Sequence, residues 1–373
     1  MVKLALSCLC IGLTKSLNEF ITKILTDRYH NQANELLNNS PLIRYLLYKT
    51  RSATKNSKSR ASFANLYAIY VLVEDYVQHN FHTEGDYSQY KGVPYQQLAT
   101  RQRELPFGKT LQNHALNNRT NAEFEKFSPQ QSIILRNLTT KYYWINEKLL
   151  KFELNGHSIN IAPAILEIIR AYIEAKQHSF NEFLQTIEDL KSQNISLEDK
   201  EMFIQTFLLN TADARLFEIV SYAILKVYYG KQVVYLGITP KHLQKEKLLL
   251  YKTGKTNAND GGIDFVMKPL GRFFQVTETL NVKKFFLDID KVQKYPITFV
   301  VKSNESIEIM LDKLLQKAKT IYTDTQIIDK YMNCIEELIN IPKLNEMLNS
   351  IAQTNELNEV LEEISIQSKL ELC

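Results

Sequence analysis

Leucine, isoleucine and phenylalanine recur at three- and four-residue steps through residues 14–48, as at Leu17, Phe20, Ile21, Ile24 and Leu25, a period that predicts helices with one buried stripe. A polar stretch from Thr50 to Ser59 separates them from a second predicted helix, Ala61 to Val77, apolar along most of its length. Residues 78–125 lose the period and are dotted with His79, His82, Tyr87, Tyr90 and Tyr95, which predicts a loop-rich segment. Ser128 to Ile204 is mixed, with Trp144 inside Lys141-Tyr-Tyr-Trp-Ile145 and a helical run from Ala162 to Lys176.

The last third changes character. Thr211 to Tyr229 reads as a helix apolar nearly all round, and Val233 to Ile238 as a strand. Gly262 to Leu280 then holds two short apolar runs joined by Pro269-Leu-Gly271, a β-hairpin pattern. A mixed segment, 281–295, leads to the strand Pro296-Ile-Thr-Phe-Val-Val301, and Ser303 to Cys373 reads as helical throughout, with Leu311, Leu314, Leu315 and Ala318 forming a stripe. The expected class is α+β or α/β. The expected organisation is a mainly helical region over 1–205, a mixed core over 206–305 and a helical segment over 306–373 that packs on the core or forms a dimer interface.

At 373 residues there is ample material for a buried core. The formal charge of +4 is too small to argue for a polyanionic partner, but its distribution says more. No Asp or Glu stands between Leu36 and Val73, whereas Arg44, Lys49, Arg51, Lys55, Lys58 and Arg60 do, a set suited to phosphates. A solvated loop is the plain alternative. The four cysteines, Cys8, Cys10, Cys334 and Cys373, have no His at zinc-ligand spacing. The apolar run Leu4 to Leu13 is short, lacks an Ala-x-Ala cleavage site and passes into a helical pattern, and no run approaches a transmembrane length, so a cytoplasmic protein is expected.

The hairpin carries the candidate chemistry. Asp264 interrupts its first apolar run and Gln275 its second, and a carboxylate between Ile263 and Phe265 is costly to bury unless an ion or donor meets it. In regular strands Asp264 and Lys268 share a face, as do Gln275 and Thr277. Glu218, within the apolar helix, is the second acid, paired either with a metal or with Arg215 three residues back. Gly254-Lys255-Thr256 is not a P-loop, because Leu249 stands where the first glycine belongs.

Asp260-Gly-Gly-Ile-Asp264-Phe-Val-Met-Lys268, followed by Arg272-Phe-Phe-Gln275-Val-Thr277-Glu278 and set in the order helix, three strands, helix, strand, resembles the PD-(D/E)xK nucleases. The likeness spans Thr211 to Lys302. Lys55 to Tyr70 and Pro106 to His114 look similar to N-terminal segments of type II restriction endonucleases, and within them the chain resembles the HaeII-like group. The resemblance implies a Mg²⁺-dependent endonuclease acting on double-stranded DNA as a homodimer, with a cognate DNA methyltransferase as functional partner. It implies Asp264, Glu218 and Gln275 at the metal, a catalytic set of Asp264, Gln275, Thr277 and a replacement for the motif lysine, and DNA contacts from the N-terminal half. Thr277 stands where the family has that lysine; Lys268, then Glu278 brought round by a bulge, are the candidate replacements, with Lys255 behind them. Arg51, Lys55, Lys58, Arg60, Arg101, Arg103, Lys109, Gln112 and Asn113 are the expected DNA contacts. An RNA or repair nuclease, or a binding protein that keeps the fold without catalysis, are the rivals.

Overall fold

A computed structural model describes residues 20–51, 59–109, 111–112, 114–154, 156–192, 194–254 and 263–372. The chain forms two compact units, one reaching to Phe183 and one over Leu184–Leu372. The division falls earlier than residue 205, because the helix Leu197–Thr206 packs against the two C-terminal helices. No helix among the described residues is long and apolar enough to cross a membrane.

In the first unit, helix α1 (Pro41–Arg51) leads to α2 (Ser59–Gln78). Every position of α2 from Ser62 to Val73 is buried, which is why that stretch is apolar at all but Ser62 and Asn65. Around it lie β1 (Val93–Pro94), α3 (Tyr95–Glu104), β2 (Ile134–Asn137) and β3 (Tyr142–Ile145), with strand order β1-β3-β2. Helix α3 falls within the stretch that sequence alone reads as loop-rich; only Leu98, Ala99 and Gln102 of it are buried, too short an apolar stripe to announce itself. Trp144 on β3 is half-buried opposite Leu135 of β2. A hairpin, β4 (Lys151–Leu154) and β5 (His157–Asn160), precedes α4 (Ala162–Leu190).

The second unit is a mixed sheet between helices. After α5 (Leu197–Thr206), α6 (Ala214–Gly230) starts at Asp213, whose side chain accepts from the Arg215 and Leu216 amides. Next come β6 (Val233–Leu236) and β7 (Gln244–Lys247), which among the described residues pair only with each other. Then β8 (Leu249–Lys252), β9 (Phe265–Lys268) and β10 (Arg272–Thr277) run antiparallel in sequence, and α7 (Val282–Lys291) crosses over to β11 (Ile297–Val301), parallel to β10. After α8 (Ile307–Ile321) and α9 (Thr325–Met332), β12 (Ile335–Ile339) adds a further parallel strand, and α10 (Ile341–Gln353) and α11 (Leu357–Leu372) close the chain. The sheet order is β12-β11-β10-β9-β8.

Two expectations change. The first strand of this sheet is Leu249–Lys252 and not Val233–Ile238, which turns aside into a ribbon with the all-polar partner Gln-Lys-Glu-Lys. The C-terminal region is not helical throughout, since Ile335-Glu-Glu-Leu-Ile339 joins the same sheet.

Cross-strand register fixes which side chains share a face. Lys252, Phe265, Phe274, Thr298 and Glu337 form one row on the face covered by α6, where the Tyr222 ring meets Phe265 and Tyr229 meets Phe274. Gln275 is level with Phe299 on the other face, where Phe285 of α7 stacks on Phe299 with ring centroids 4.1 Å apart. Phe299 is fully buried. Phe299→Ala is expected to destabilise the second unit by about 3–5 kcal/mol through the cavity it leaves, measured as a loss of midpoint in chemical unfolding followed by far-ultraviolet circular dichroism; a change below about 1 kcal/mol would mean that α7 does not rest on this ring.

Candidate functional site

Asp264 stands where β9 leaves its ladder. Its amide donates to the Phe274 carbonyl at 2.9 Å, although Phe274 is already the register partner of Phe265. Two residues of one strand thus face one of the other, the condition of a β-bulge, and a bulge re-aims the side chain it carries. The Asp264 carboxylate accepts from the Val276 amide at 2.7 Å, and its carbonyl accepts from the Thr253 amide at 3.0 Å. Asp264 is therefore anchored on both sides, to β10 by its side chain and to the end of β8 by its backbone.

Helix α6 brings Glu218 to this end of the sheet. Only 7% of Glu218 is exposed, and its Oε1 lies 3.1 Å from the Nζ of Lys252, the residue that ends β8 beside Thr253. Lys252 is thus an ion partner of Glu218 on a neighbouring element. The apolar run Leu248-Leu-Leu-Tyr-Lys252 is the available signal: a lysine closing a strand is placed at the strand's end, as Asp264 opens the next one. At the head of α6, burial pushes the Asp213 carboxyl above the usual carboxylate range, while the two backbone amides it caps oppose that rise.

Lys268 does not reach this place. It is exposed at the turn end of the hairpin, level with Leu249, four residues and so about 13 Å of strand from Asp264 at ~3.3 Å per residue. Strict alternation, which puts Asp264 and Lys268 on one face, fails at the bulge. Gln275 and Thr277 are both buried on the α7 side. The Gln275 amide nitrogen donates to the Val276 carbonyl at 3.2 Å, and its amide oxygen is buried with no hydrogen-bond partner among the described residues. Thr277 Oγ1 donates to the Thr279 carbonyl at 3.2 Å and lies 3.5 Å from Lys284 Nζ, an ammonium supplied by α7. The sheet itself therefore separates Gln275 from Glu218, and the expected three-ligand set Asp264, Glu218, Gln275 does not assemble on one face.

Glu278 belongs to a neighbouring cleft. Its Oε1 is 3.2 Å from Nζ of Lys302, a buried lysine that also donates to the Ala212 carbonyl and sits over the Phe217 ring. Asn210, Thr279 and Ser303 line the same cleft, of about 600 Å³.

The expected DNA contacts of the first unit divide sharply. Lys55, Lys58 and Asn113 lie outside the described residues, as does Lys255; Arg51 ends α1 and Arg60 is the second residue of α2. Arg103, Lys109 and Gln112 are exposed. Arg101 is committed elsewhere: it grips Glu74 through two hydrogen bonds of 2.8 and 3.0 Å and meets Glu104 at 3.3 Å, in a cleft that also holds Asp75. One arginine among three acids is poorly placed for a phosphate. Lys49, part of the basic run, is buried against Glu123; burial opposes ionisation of that acid, but the hydrogen bonds from Lys49 and Arg119 more than offset it and hold its pKa below the usual range. Arg44 donates to the Phe127 carbonyl at 3.0 Å. Of the described residues of this run, Lys49 is thus neutralised by an acid from outside it.

No family model, no curated protein and no solved structure matches the chain.

Among the described residues no three of His, Cys, Asp and Glu gather as a metal cluster. The carboxylates of Asp264 and Glu218 have the hard oxygen chemistry that a divalent cation takes, and the two residues flank Lys252-Thr253. Glu218→Gln and Lys252→Met are each expected to lower stability, and the double variant to lose less than their sum, with a coupling of about 1–3 kcal/mol in a double-mutant cycle. Strict additivity would show that the pair contributes no mutual stabilisation.

Proposed function

We propose that the chain is a Mg²⁺-dependent endonuclease of the PD-(D/E)xK type that cuts double-stranded DNA at specific sites, working as a homodimer. The observation that carries this reading is the order α6, β8, β9, β10, α7, β11 in a mixed sheet, with Asp264 held at the head of β9 and Glu218 of the preceding helix paired to Lys252 at the adjoining end of β8. Asp264 and Glu218 would hold the metal, which when bound supplies an acidified water and a Lewis acid toward phosphate. The chain's own contribution is positional and electrostatic. The Val276 amide fixes the Asp264 carboxylate, and the Lys252 ammonium, on a side chain 11% exposed, brings a positive charge toward a phosphate as it gains negative charge. Lys252 thereby takes the part for which Lys268 is the first candidate from sequence.

A second reading is favoured by one observation: β10 presents Gln275 and Thr277, neither of them an acid or lysine, to α7 and away from Glu218. On that reading the chain binds DNA on a nuclease-like fold without cutting it.

The test is incubation of the full chain with plasmid and Mg²⁺. Discrete fragments are expected from the parent protein, and Asp264→Asn is expected to lower the rate by at least about a hundredfold, the scale set by removing one preorganised electrostatic interaction, while keeping its circular dichroism and thermal midpoint. Cutting at a rate comparable to the parent would remove Asp264 from the site. Intact plasmid with the parent protein, under conditions where it still binds DNA, would favour the second reading.

A further inference from the structure

The β6–β7 ribbon is an element that the site does not use. All of residues 231–247 are exposed except Val234, so neither strand rests on a core within its own unit. A two-stranded ribbon exposed on both sides is marginal in water unless something covers it. Register sorts its two faces. Val233 and Tyr235 lie across from Lys247 and Lys245 on one face, whereas Val234 and Leu236 lie across from Glu246 and Gln244 on the other. The only acid of the ribbon is therefore on the far side from Tyr235. Tyr235 is 61% exposed, and at the tip Ile238 is fully exposed beside Lys241, in a turn held by the His242 amide donating to the Thr239 carbonyl at 3.0 Å. Lys241, Lys245 and Lys247 have no ion-pair partner among the described residues; Lys231, by contrast, is engaged with Glu356.

One face thus carries an aromatic ring beside two ammonium groups, whose backbone positions stand about 6.6 Å apart at ~3.3 Å per residue. This is complementary to a polyanion with flat or methylated apolar surface between its charges. The ribbon also has the right cross-section, since the major groove of B-form DNA, about 12 Å wide, admits a two-stranded β-ribbon. Finally, β7 passes through the single residue Leu248 into the start of β8, the strand whose far end, Lys252, pairs with Glu218.

We propose that the β6–β7 ribbon is the DNA-docking element of the second unit, with its Tyr235, Lys245 and Lys247 face against duplex DNA. Lys245 and Lys247 contact phosphates, and the tip with Ile238 and Lys241 enters the groove. Docking there holds the duplex at the Leu249 end of β8, three residues and so about 10 Å of strand from the Lys252–Glu218 pair at ~3.3 Å per residue. The inference deepens the nuclease reading and rests on it for the choice of DNA as partner.

The test is fluorescence anisotropy of a labelled mixed-sequence duplex with the full chain in EDTA, over a series of salt concentrations. Lys245→Gln/Lys247→Gln is expected to weaken binding and to make log K less steep against log salt by about 1.8, at ~0.9 for each phosphate no longer neutralised. Glu246→Gln, on the opposite face of the same ribbon, is expected to leave the slope unchanged, and all variants should keep the parent's thermal midpoint. Parental affinity and slope in the lysine double variant, or no duplex binding by the parent, would overturn the proposal. If that variant instead loses a dimer in sedimentation while binding DNA normally, the face belongs to a second copy of the chain and the proposal fails. Because the assay needs no cleavage, the two readings fail separately: ribbon-dependent binding with intact plasmid defeats only catalysis, and cutting indifferent to the ribbon defeats only the ribbon.

Discussion

The second unit depends on β10 being paired on both sides in opposite senses. Its antiparallel bond to β9 makes the hairpin, and its parallel bond to β11 requires a crossover, which α7 provides. With β10 fixed, each neighbouring side chain is assigned to one face or the other, and a slip of one residue would exchange them all. Phe274 then lies under α6 and Phe299 under α7. The bulge at Asp264 is the one place in the hairpin where this rule is set aside, at the point where a carboxylate must leave the plane of the ladder while the Val276 amide still finds an acceptor.

Much of this arrangement is legible in the chain. The hairpin, the apolar helix bearing Glu218 and the strand at 297–301 stand out because each is a compact apolar run bounded by turn or capping residues. What stays hidden depends on distant partners. Leu249–Lys252 and Val233–Leu236 are equally strand-like in sequence, and only cross-strand pairing shows which one joins the five-stranded sheet. β12 is masked by paired glutamates, and those acids are explained by Arg272, which meets Glu336 at 3.4 Å and also engages Glu337 across the strands. The apolar run before Lys252 marks it as a strand end but not its partner, because Glu218 is 34 positions earlier on another element, and the expected grouping of Gln275 with Glu218 fails because sequence does not say which helix covers which face.

Charge behaves the same way. A basic run along the sequence is a statement about neighbours in the chain, whereas field at a surface depends on neighbours in space. Lys49 and Arg101 lose their reach to acids at positions 123 and 74, while the unremarkable Gln-Lys-Glu-Lys of β7 keeps both of its lysines on one side and its glutamate on the other. Strand alternation thus makes a charged face from a nearly balanced tetrapeptide.

The single tryptophan of the chain, Trp144, is on β3 of the first unit, packed across from Leu135, and Leu184–Leu372 contains none. Indole emission is therefore a private signal of one unit, blind to the melting of the mixed sheet, whereas helix-rich far-ultraviolet dichroism sees both. Two transitions that coincide in dichroism and emission would mean that the units unfold as one cooperative body, and a mismatch would separate their stabilities without cutting the chain.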